Sequence, residues 1–227
     1  MDEPSSIESI IEIPGDTFPV QQDQEWANAL SHGMATVVAC VGAFVMVQHT
    51  SEKSIGTTLS CLAFVCSAIA VFAASTLSHV FVDNRNLLRR LRAWDQGLIY
   101  VMITGTYTPI VYHYATSTTR GPLLVAIWVA ASIGFYSKVF AGHRINGIGT
   151  WSYLALGWTP TFFLAGRVPT MVLIWMAAGG ILYTLGVVVL VNDSRRRYLH
   201  VLWHFLVVTA ASCHYWAIYH YIAGAAT

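Results

Sequence analysis

The chain has 227 residues, of which 56% are hydrophobic and only 10% are charged, and its formal net charge is +1 at pH 7. Soluble domains carry about 25% charged residues, so this composition excludes a soluble globule, a disordered chain and a collagen-like fibre. It predicts a protein that has a lipid bilayer as its solvent. The near-neutral charge gives no reason to expect a nucleic-acid partner.

The first 24 residues differ from the rest of the chain. They contain six acidic residues and no lysine or arginine, and they lack the basic start and apolar run of a secretory signal. Ser5 and Glu8 have capping-box spacing, which allows a short amphipathic turn. The composition favours a mobile acidic tail over residues 1–24, followed by a membrane domain over residues 25–227.

After Trp26, long apolar runs alternate with short charged turns. A membrane-spanning helix needs roughly 20 mostly apolar residues. Seven segments meet or approach this length: 28–48, 57–82, 94–114, 122–141, 150–164, 169–191 and 199–223. The pattern predicts an all-α membrane protein, a bundle of seven transmembrane helices of which the fifth is the shortest.

The basic residues predict the orientation of this bundle. Nine lie in or beside the connections after the second, fourth and sixth spans: Arg85, Arg89, Arg90, Arg92, Lys138, Arg144, Arg195, Arg196 and Arg197. Three lie in the connections after the first, third and fifth spans: Lys53, Arg120 and Arg167. Because short loops rich in lysine and arginine stay in the cytoplasm, the N-terminus is expected inside and the C-terminus outside.

The strongest chemical signal is a pair of histidines at the start of the seventh span, in YLHVLWHF. His200 and His204 are four residues apart, so their imidazoles lie on one helical face, one turn from each other. Two imidazoles placed in this way can bind one metal ion. The alternative is a pair of helix-end histidines that face lipid headgroups.

Two further segments belong to the same predicted side of the membrane. His79 closes the second span in STLSHVF, one turn after Ser75, and Asp95 opens the third span in RAWDQGLIY. Taken singly, His79 can be a packing residue and Asp95 a helix cap. The orientation from the basic residues, however, places both at the depth of His200 and His204. Intramembrane ionisable residues usually mark function.

Three imidazoles and one open position make up a catalytic zinc site. His79, His200 and His204 are therefore the predicted ligands of Zn²⁺, and Asp95 is the carboxylate that would orient or deprotonate water. His32 opens the first span on the same side, and His214 is expected to lie deeper in the seventh helix. Both are interpreted as packing or supporting histidines.

An ordered set of motifs resembles the hemolysin III family, the bacterial branch of the progestin and adipoQ receptor group, which is related to alkaline ceramidases. The motifs are NALSHG, STLSH, DQGLIYVMITGTYTPI, YLALGW, GGILYTLG and HVLWHFLVVTAASCHY. The resemblance covers residues 25–222. It implies a seven-helix bundle with an intracellular N-terminus in the plasma membrane, which for this family is the bacterial inner membrane.

The resemblance also implies roles for single residues. In adiponectin-receptor-like members, zinc is held by a histidine that closes the second helix and two near the start of the seventh, which match His79, His200 and His204. The family's aspartate and its serine match Asp95 and Ser75. Two positions depart from the family pattern: Gln96 stands where a histidine often follows the aspartate, and Ser78 stands in place of a tyrosine.

Three functions are compatible with these residues. The first is a zinc hydrolase that cleaves an amide or ester bond of a membrane lipid, with Asp95 as base and Ser75 as a hydrogen-bonding residue. The second is a receptor, sensor or regulator of membrane properties in which zinc only staples the helices. The third is a pore, which needs a polar lining that the outer halves of the spans do not provide.

Overall fold

In a computed structural model of the chain, the structure describes residues 22–141 and 148–224. Within these residues the backbone forms seven α-helices and no strand. The helices are α1 (Gln22–Thr50), α2 (Ile55–Val80), α3 (Arg85–Tyr114), α4 (Ser117–Val139), α5 (Ile148–Leu164), α6 (Thr170–Leu190) and α7 (Leu199–Ile218). A 3₁₀ turn at Asp193–Arg195 leads toward α7, and a π-helical turn at Tyr219–Ala223 continues it.

The predicted seven-helix bundle is confirmed, and several helices extend beyond the apolar runs, most of all at the starts of α3 and α1. The third helix begins at Arg85 rather than at residue 94, because Asn84 caps it by accepting a hydrogen bond from the Leu87 amide at 3.1 Å. The first helix begins at Gln22, so it includes the last three residues of the predicted tail. The capping-box pair Ser5 and Glu8, like the loop residues His143 and Arg144, lies outside the described residues.

Five of the helices are long and apolar enough to cross a membrane: α1, α2, α4, α6 and α7 with its π-helical end. Helix α5 has 17 residues, slightly fewer than the roughly 20 that a full span needs. Helix α3 carries four arginines in its first turns and a threonine- and tyrosine-rich second half. The chain is a multi-pass membrane protein, and many large apolar side chains, such as Val38 and Phe44 on α1, lie on its exterior.

Consecutive helices pack against one another from α1 to α4, and α6 packs against α7. Helix α7 also contacts α1, so the first and last helices of the chain are neighbours. A buried apolar cluster that includes Ala35, Phe72 and Trp203 lies where α1, α2, α3, α6 and α7 meet. This cluster forms the apolar floor beneath the end of α2 and the start of α7.

Helix α5 is attached to the bundle mainly through tyrosines of α3. The Tyr107 hydroxyl donates to the Gly157 carbonyl, in the turn before Pro160, and lies 2.7 Å from the Thr161 hydroxyl. The Tyr100 hydroxyl lies 2.5 Å from the Ser152 hydroxyl. Such bonds satisfy polar groups near a helix proline, which lacks an amide hydrogen, so α5 continues through Pro160 without interruption.

Candidate metal centre

The structure brings His79 together with His200 and His204, which follow it by more than 120 positions in the sequence. One ring nitrogen of each of His79, His200 and His204 lies within 4.8 Å of the others. The ring centroids are 5.2 Å apart for His79 and His200, 5.2 Å for His79 and His204, and 4.8 Å for His200 and His204. His79 and His204 are 8% and 1% exposed. A group of three imidazoles this compact can hold a metal ion.

Two of the histidines are oriented by carboxylates. The Nδ1 atom of His79 lies 2.5 Å from Glu25 Oε2 at the start of α1. The Nδ1 atom of His200 lies 2.9 Å from Asp193 Oδ2 in the 3₁₀ turn before α7. A carboxylate accepts a hydrogen bond, so both rings carry their proton on Nδ1 and keep the lone pair on Nε2. Metal-binding histidines usually have this arrangement.

A hydroxyl performs the same role for the third histidine. The Ser31 hydroxyl donates its one proton to the Asn28 carbonyl at 2.8 Å, and its oxygen lies 2.8 Å from His204 Nδ1. Because that proton is already used, Ser31 must accept from His204 Nδ1–H. His204 therefore also keeps its lone pair on Nε2.

A second observation supports the fit of these residues to a zinc ion. The Nε2 atom of His79 is buried and has no hydrogen-bond partner within the described residues. A buried polar atom without a partner is costly, and a metal ion bound to Nε2 would satisfy it. Three nitrogen lone pairs held by outer partners are the donor set that Zn²⁺ prefers.

Asp95 and Ser75 lie beside the three histidines but are not in the compact ligand group. The Asp95 carboxylate is within hydrogen-bonding reach of the Ser75 side chain and within electrostatic range of His200 and Arg92. Ser75 itself is buried. The predicted base and its hydrogen-bonding serine are therefore neighbours of each other, on the third-helix side of the centre.

His32 packs directly on the centre from α1. Its ring stacks on that of His204 with centroids 3.6 Å apart and an interplanar angle of 11°. The ring also contacts Phe72 at a centroid distance of 5.1 Å. Because of this stacking, the His32 ring forms a flat wall of the site. Both of its ring nitrogens are buried without a hydrogen-bond partner among the described residues.

Side chains in the first turn of α1 bind the residues that immediately precede α7. Asp23 pairs with Arg197 and accepts from the Tyr198 hydroxyl at 2.9 Å, and Gln24 Oε1 accepts from the Tyr198 amide at 2.9 Å. Tyr198 has the left-handed backbone conformation, with φ of 64°, which is unfavourable for a large side chain. These contacts stabilise that turn and so position His200, two residues later.

Comparison with known families identifies the family to which the chain belongs. A family model described as "Haemolysin-III related" matches residues 20–215. The chain belongs to the haemolysin-III related family. The resemblance identified from the motifs is thereby confirmed.

Relatives of this family member come from bacteria and animals. It is 28% identical over 213 residues to Hemolysin-3 of Bacillus cereus, covering 88% of this chain and 92% of the relative. It is 27% identical over 206 residues to the Hemolysin-3 homolog of Bacillus subtilis (strain 168), covering 87% and 94%. It is 26% identical over 200 residues to human Monocyte to macrophage differentiation factor, covering 86% and 83%. The match extends over most of each protein, so the family assignment concerns the whole helical bundle.

Sequence reasoning identified the three histidines of this haemolysin-III related chain but not their outer partners. Glu25, Asp193 and Ser31 were not among the predicted site residues. One signal was present for Glu25: it stands seven residues before His32, on the same helical face and the same predicted side of the membrane. Asp193 lies seven residues before His200, but the intervening turn hides their proximity.

Four further histidines of the described residues lie away from the centre. His214 is buried deeper in α7, with Nε2 3.3 Å from the Met176 carbonyl. His49, His113 and His220 are exposed at the opposite end of the bundle and contact aromatic rings. The single compact group is therefore selected by tertiary structure from a chain with nine histidines.

Proposed function

We propose that this membrane protein is a zinc hydrolase that cleaves an amide or ester bond of a membrane lipid. The observation that carries the proposal is the set of three Nε2 lone pairs, each held in place through Nδ1, beside a carboxylate that is not itself a ligand. A structural zinc site is closed by four protein ligands, whereas a catalytic site keeps one position open. Three histidines and a neighbouring Asp95 match the second arrangement.

Zinc bound by these histidines would supply a Lewis acid and lower the pKa of a bound water toward about 7. Asp95 would take the proton from that water as the water oxygen attacks the carbonyl carbon of the lipid. The bond from this carbon to nitrogen or oxygen then breaks, and Asp95 returns the proton to the leaving group. Ser75, within hydrogen-bonding reach of Asp95, would keep the carboxylate oriented toward the centre.

The location of the centre suits a lipid substrate. The centre lies near the ends of membrane-crossing helices rather than in a separate domain, and His200 is only partly buried. A lipid that lies in the bilayer can bring its headgroup linkage to this depth without leaving the membrane. An amide such as that of a ceramide is the substrate class that the family resemblance suggests.

The experiment compares the wild-type protein with Asp95→Asn, purified and loaded with zinc. We expect wild-type protein to release fatty acid from at least one lipid of a panel of amides and esters. Asp95→Asn is expected to lose turnover while it keeps its zinc stoichiometry and its melting temperature. Asp83→Asn, a change of the same kind in the connection after α2, serves as control and should leave turnover unchanged.

Other outcomes would contradict the proposal in distinct ways. Undiminished release by Asp95→Asn would exclude Asp95 as the base. If zinc-loaded wild-type protein releases no fatty acid from any lipid, and zinc only raises its melting temperature, the protein is a zinc-stapled receptor or sensor instead.

We further propose that the metal centre faces the cytoplasm, because the sequence places nine basic residues in or beside the connections after the second, fourth and sixth spans and only three in the others. In a background without native cysteines, Ser194→Cys reports on the metal-centre end and Thr118→Cys on the opposite end, and both native residues are exposed. An impermeant maleimide should label Thr118→Cys in intact cells and Ser194→Cys only after permeabilisation. The reverse pattern would invert the orientation.

A further inference from the structure

A long groove lies between α4 and α5. Its cavity volume is about 1030 Å³. The middle of the groove is apolar and is lined by alanines, among them Ala126, Ala130 and Ala155, together with larger aliphatic side chains such as Leu156. The described lining includes none of the histidines and no Asp95, so an inference about this groove does not rest on the proposed function.

The groove has the length of a bilayer and is polar at its ends. Along α4 it extends from Thr118 to Lys138, which at about 1.5 Å per residue is about 30 Å, the thickness of the hydrocarbon core. Arg167 lies at the Thr118 end, and Ser137 and Ser152 lie near Lys138. Polar termini flanking an apolar middle match the headgroup and acyl regions of lipids.

Lys138 is the residue of the groove that an anionic ligand would stabilise most. It is 5% exposed, and its ammonium group reaches the surface of the groove beside Gly149. The ammonium occupies the space that a side chain at Gly149 would fill, since an added Cβ would lie 2.2 Å from Nζ and the lysine would have to move. Among the residues that the structure describes, no hydrogen bond or ion pair satisfies Lys138, and no acidic residue lines the groove. A buried ammonium group is costly without a counter-charge.

We propose that the groove binds an anionic phospholipid of the surrounding bilayer. Its phosphate lies on the Lys138 ammonium, and one acyl chain lies along the alanine-lined part of the groove between α4 and α5. Charge complementarity favours an anionic over a zwitterionic headgroup, because the groove presents cations and no acid. The alanines at its centre leave room for a lipid chain next to the helices.

The test uses purified protein in detergent and counts retained lipid by native mass spectrometry, with phosphatidylglycerol and phosphatidylcholine of identical acyl chains in competition. Wild-type protein should retain phosphatidylglycerol preferentially. Lys138→Gln should lower this preference about fivefold or more, the effect of removing one cation near a lipid headgroup. Lys138→Arg should keep it. Lys53→Gln removes the other lysine of the chain, which does not line the groove, and should also keep it.

A second variant addresses the apolar part without touching the charge. Ala130→Phe places a large ring in the groove at an exposed position, so the fold has room for it, and the retained lipid should be lost although Lys138 is present. The proposal is overturned if Lys138→Gln and Ala130→Phe both retain phosphatidylglycerol like the wild type. It is also overturned if an Ala130→Cys variant forms disulfide-linked dimers in lipid-free micelles, since a second copy of the chain would then occupy the groove.

Discussion

The two ends of the bundle use the same residue type in different ways. At one end, the Nδ1 atoms of His79, His200 and His204 meet Glu25, Asp193 and Ser31, each a hydrogen-bond acceptor from another segment. At the opposite end, His49 stacks on Tyr219 with centroids 4.3 Å apart, and His220 lies 4.0 Å from the Trp216 ring. The first set is directed at a common point, whereas the second set covers aromatic rings at the membrane surface.

This difference shows that the partner of Nδ1, rather than the presence or spacing of histidines, distinguishes the candidate metal centre. An acceptor at Nδ1 fixes both the ring orientation and the lone pair on Nε2. An aromatic neighbour fixes the ring plane but leaves the position of the proton open. The following predictions test whether the two ends differ in metal binding as this contrast requires.

The largest effect is expected from the ligands themselves. Alanine at His79, His200 or His204 should abolish stoichiometric zinc binding, because two imidazoles do not complete the site. The loss in affinity should exceed the roughly 10–100-fold that removal of an outer partner costs. Metal analysis of purified protein measures it, and the wild type should carry about one zinc per chain.

Each ligand can be judged separately in that experiment. Full zinc occupancy in any one of the three alanine variants would remove that residue from the centre. His214→Ala, which removes a buried histidine deeper in the same helix, is the matched control for a purely structural loss in α7.

A smaller effect is expected from the outer carboxylates. Glu25→Gln should weaken zinc binding about 10–100-fold, because the amide can no longer hold the His79 proton on Nδ1 as a charged acceptor does. Competition with a chromophoric chelator measures the affinity. Glu52→Gln, at the exposed opposite end of the bundle, should bind zinc like the wild type. Equal affinity of Glu25→Gln and Glu52→Gln would show that the carboxylate does not support the centre.

The neutral Ser31 hydroxyl should contribute less to zinc affinity than the carboxylates of Glu25 and Asp193. Ser31→Ala removes the acceptor of His204 Nδ1 but leaves a buried, well-packed ring stacked on His32. We expect zinc affinity to fall toward the lower end of the range, roughly 10-fold. A fall in zinc affinity as large as that of His204→Ala would mean that the site does not form without Ser31, rather than that Ser31 only adjusts its affinity.

No effect is expected from the opposite end. His49→Gln and His113→Gln change exposed histidines that contact aromatic rings, so zinc stoichiometry and affinity should match the wild type. Loss of zinc in either variant would remove the contrast between the two ends.

Much of this architecture follows from one-dimensional patterns. The seven helices are visible as apolar runs, because each must satisfy its own backbone hydrogen bonds in lipid. The location of His79 on the same side of the bundle as His200 and His204 also follows, since helix count alone places the end of α2 and the start of α7 on one side. The third helix begins nine residues earlier than its apolar run because Asn84 caps it, and this local cap was not predicted from the sequence.

The outer partners of the centre could not be predicted in the same way. Glu25 stands in the first turn of α1, where its side chain reaches His79 only because α1 packs beside α2. The contact of Ser31 with His204 needs the return of α7 to α1. Side-to-side neighbours in a helical bundle depend on three-dimensional packing, which the alternation of apolar and polar segments does not encode.

The adjacency of α1 and α7 has a consequence for biosynthesis. Ser31 and His204 are 173 residues apart, and the first of them leaves the ribosome long before the second. A nascent chain that has inserted six helices holds only His79 of the three ligands, so it has no metal centre. If the centre binds zinc as proposed, zinc uptake begins only after the final helix has entered the membrane and docked, and zinc content would then mark the chains whose insertion is complete.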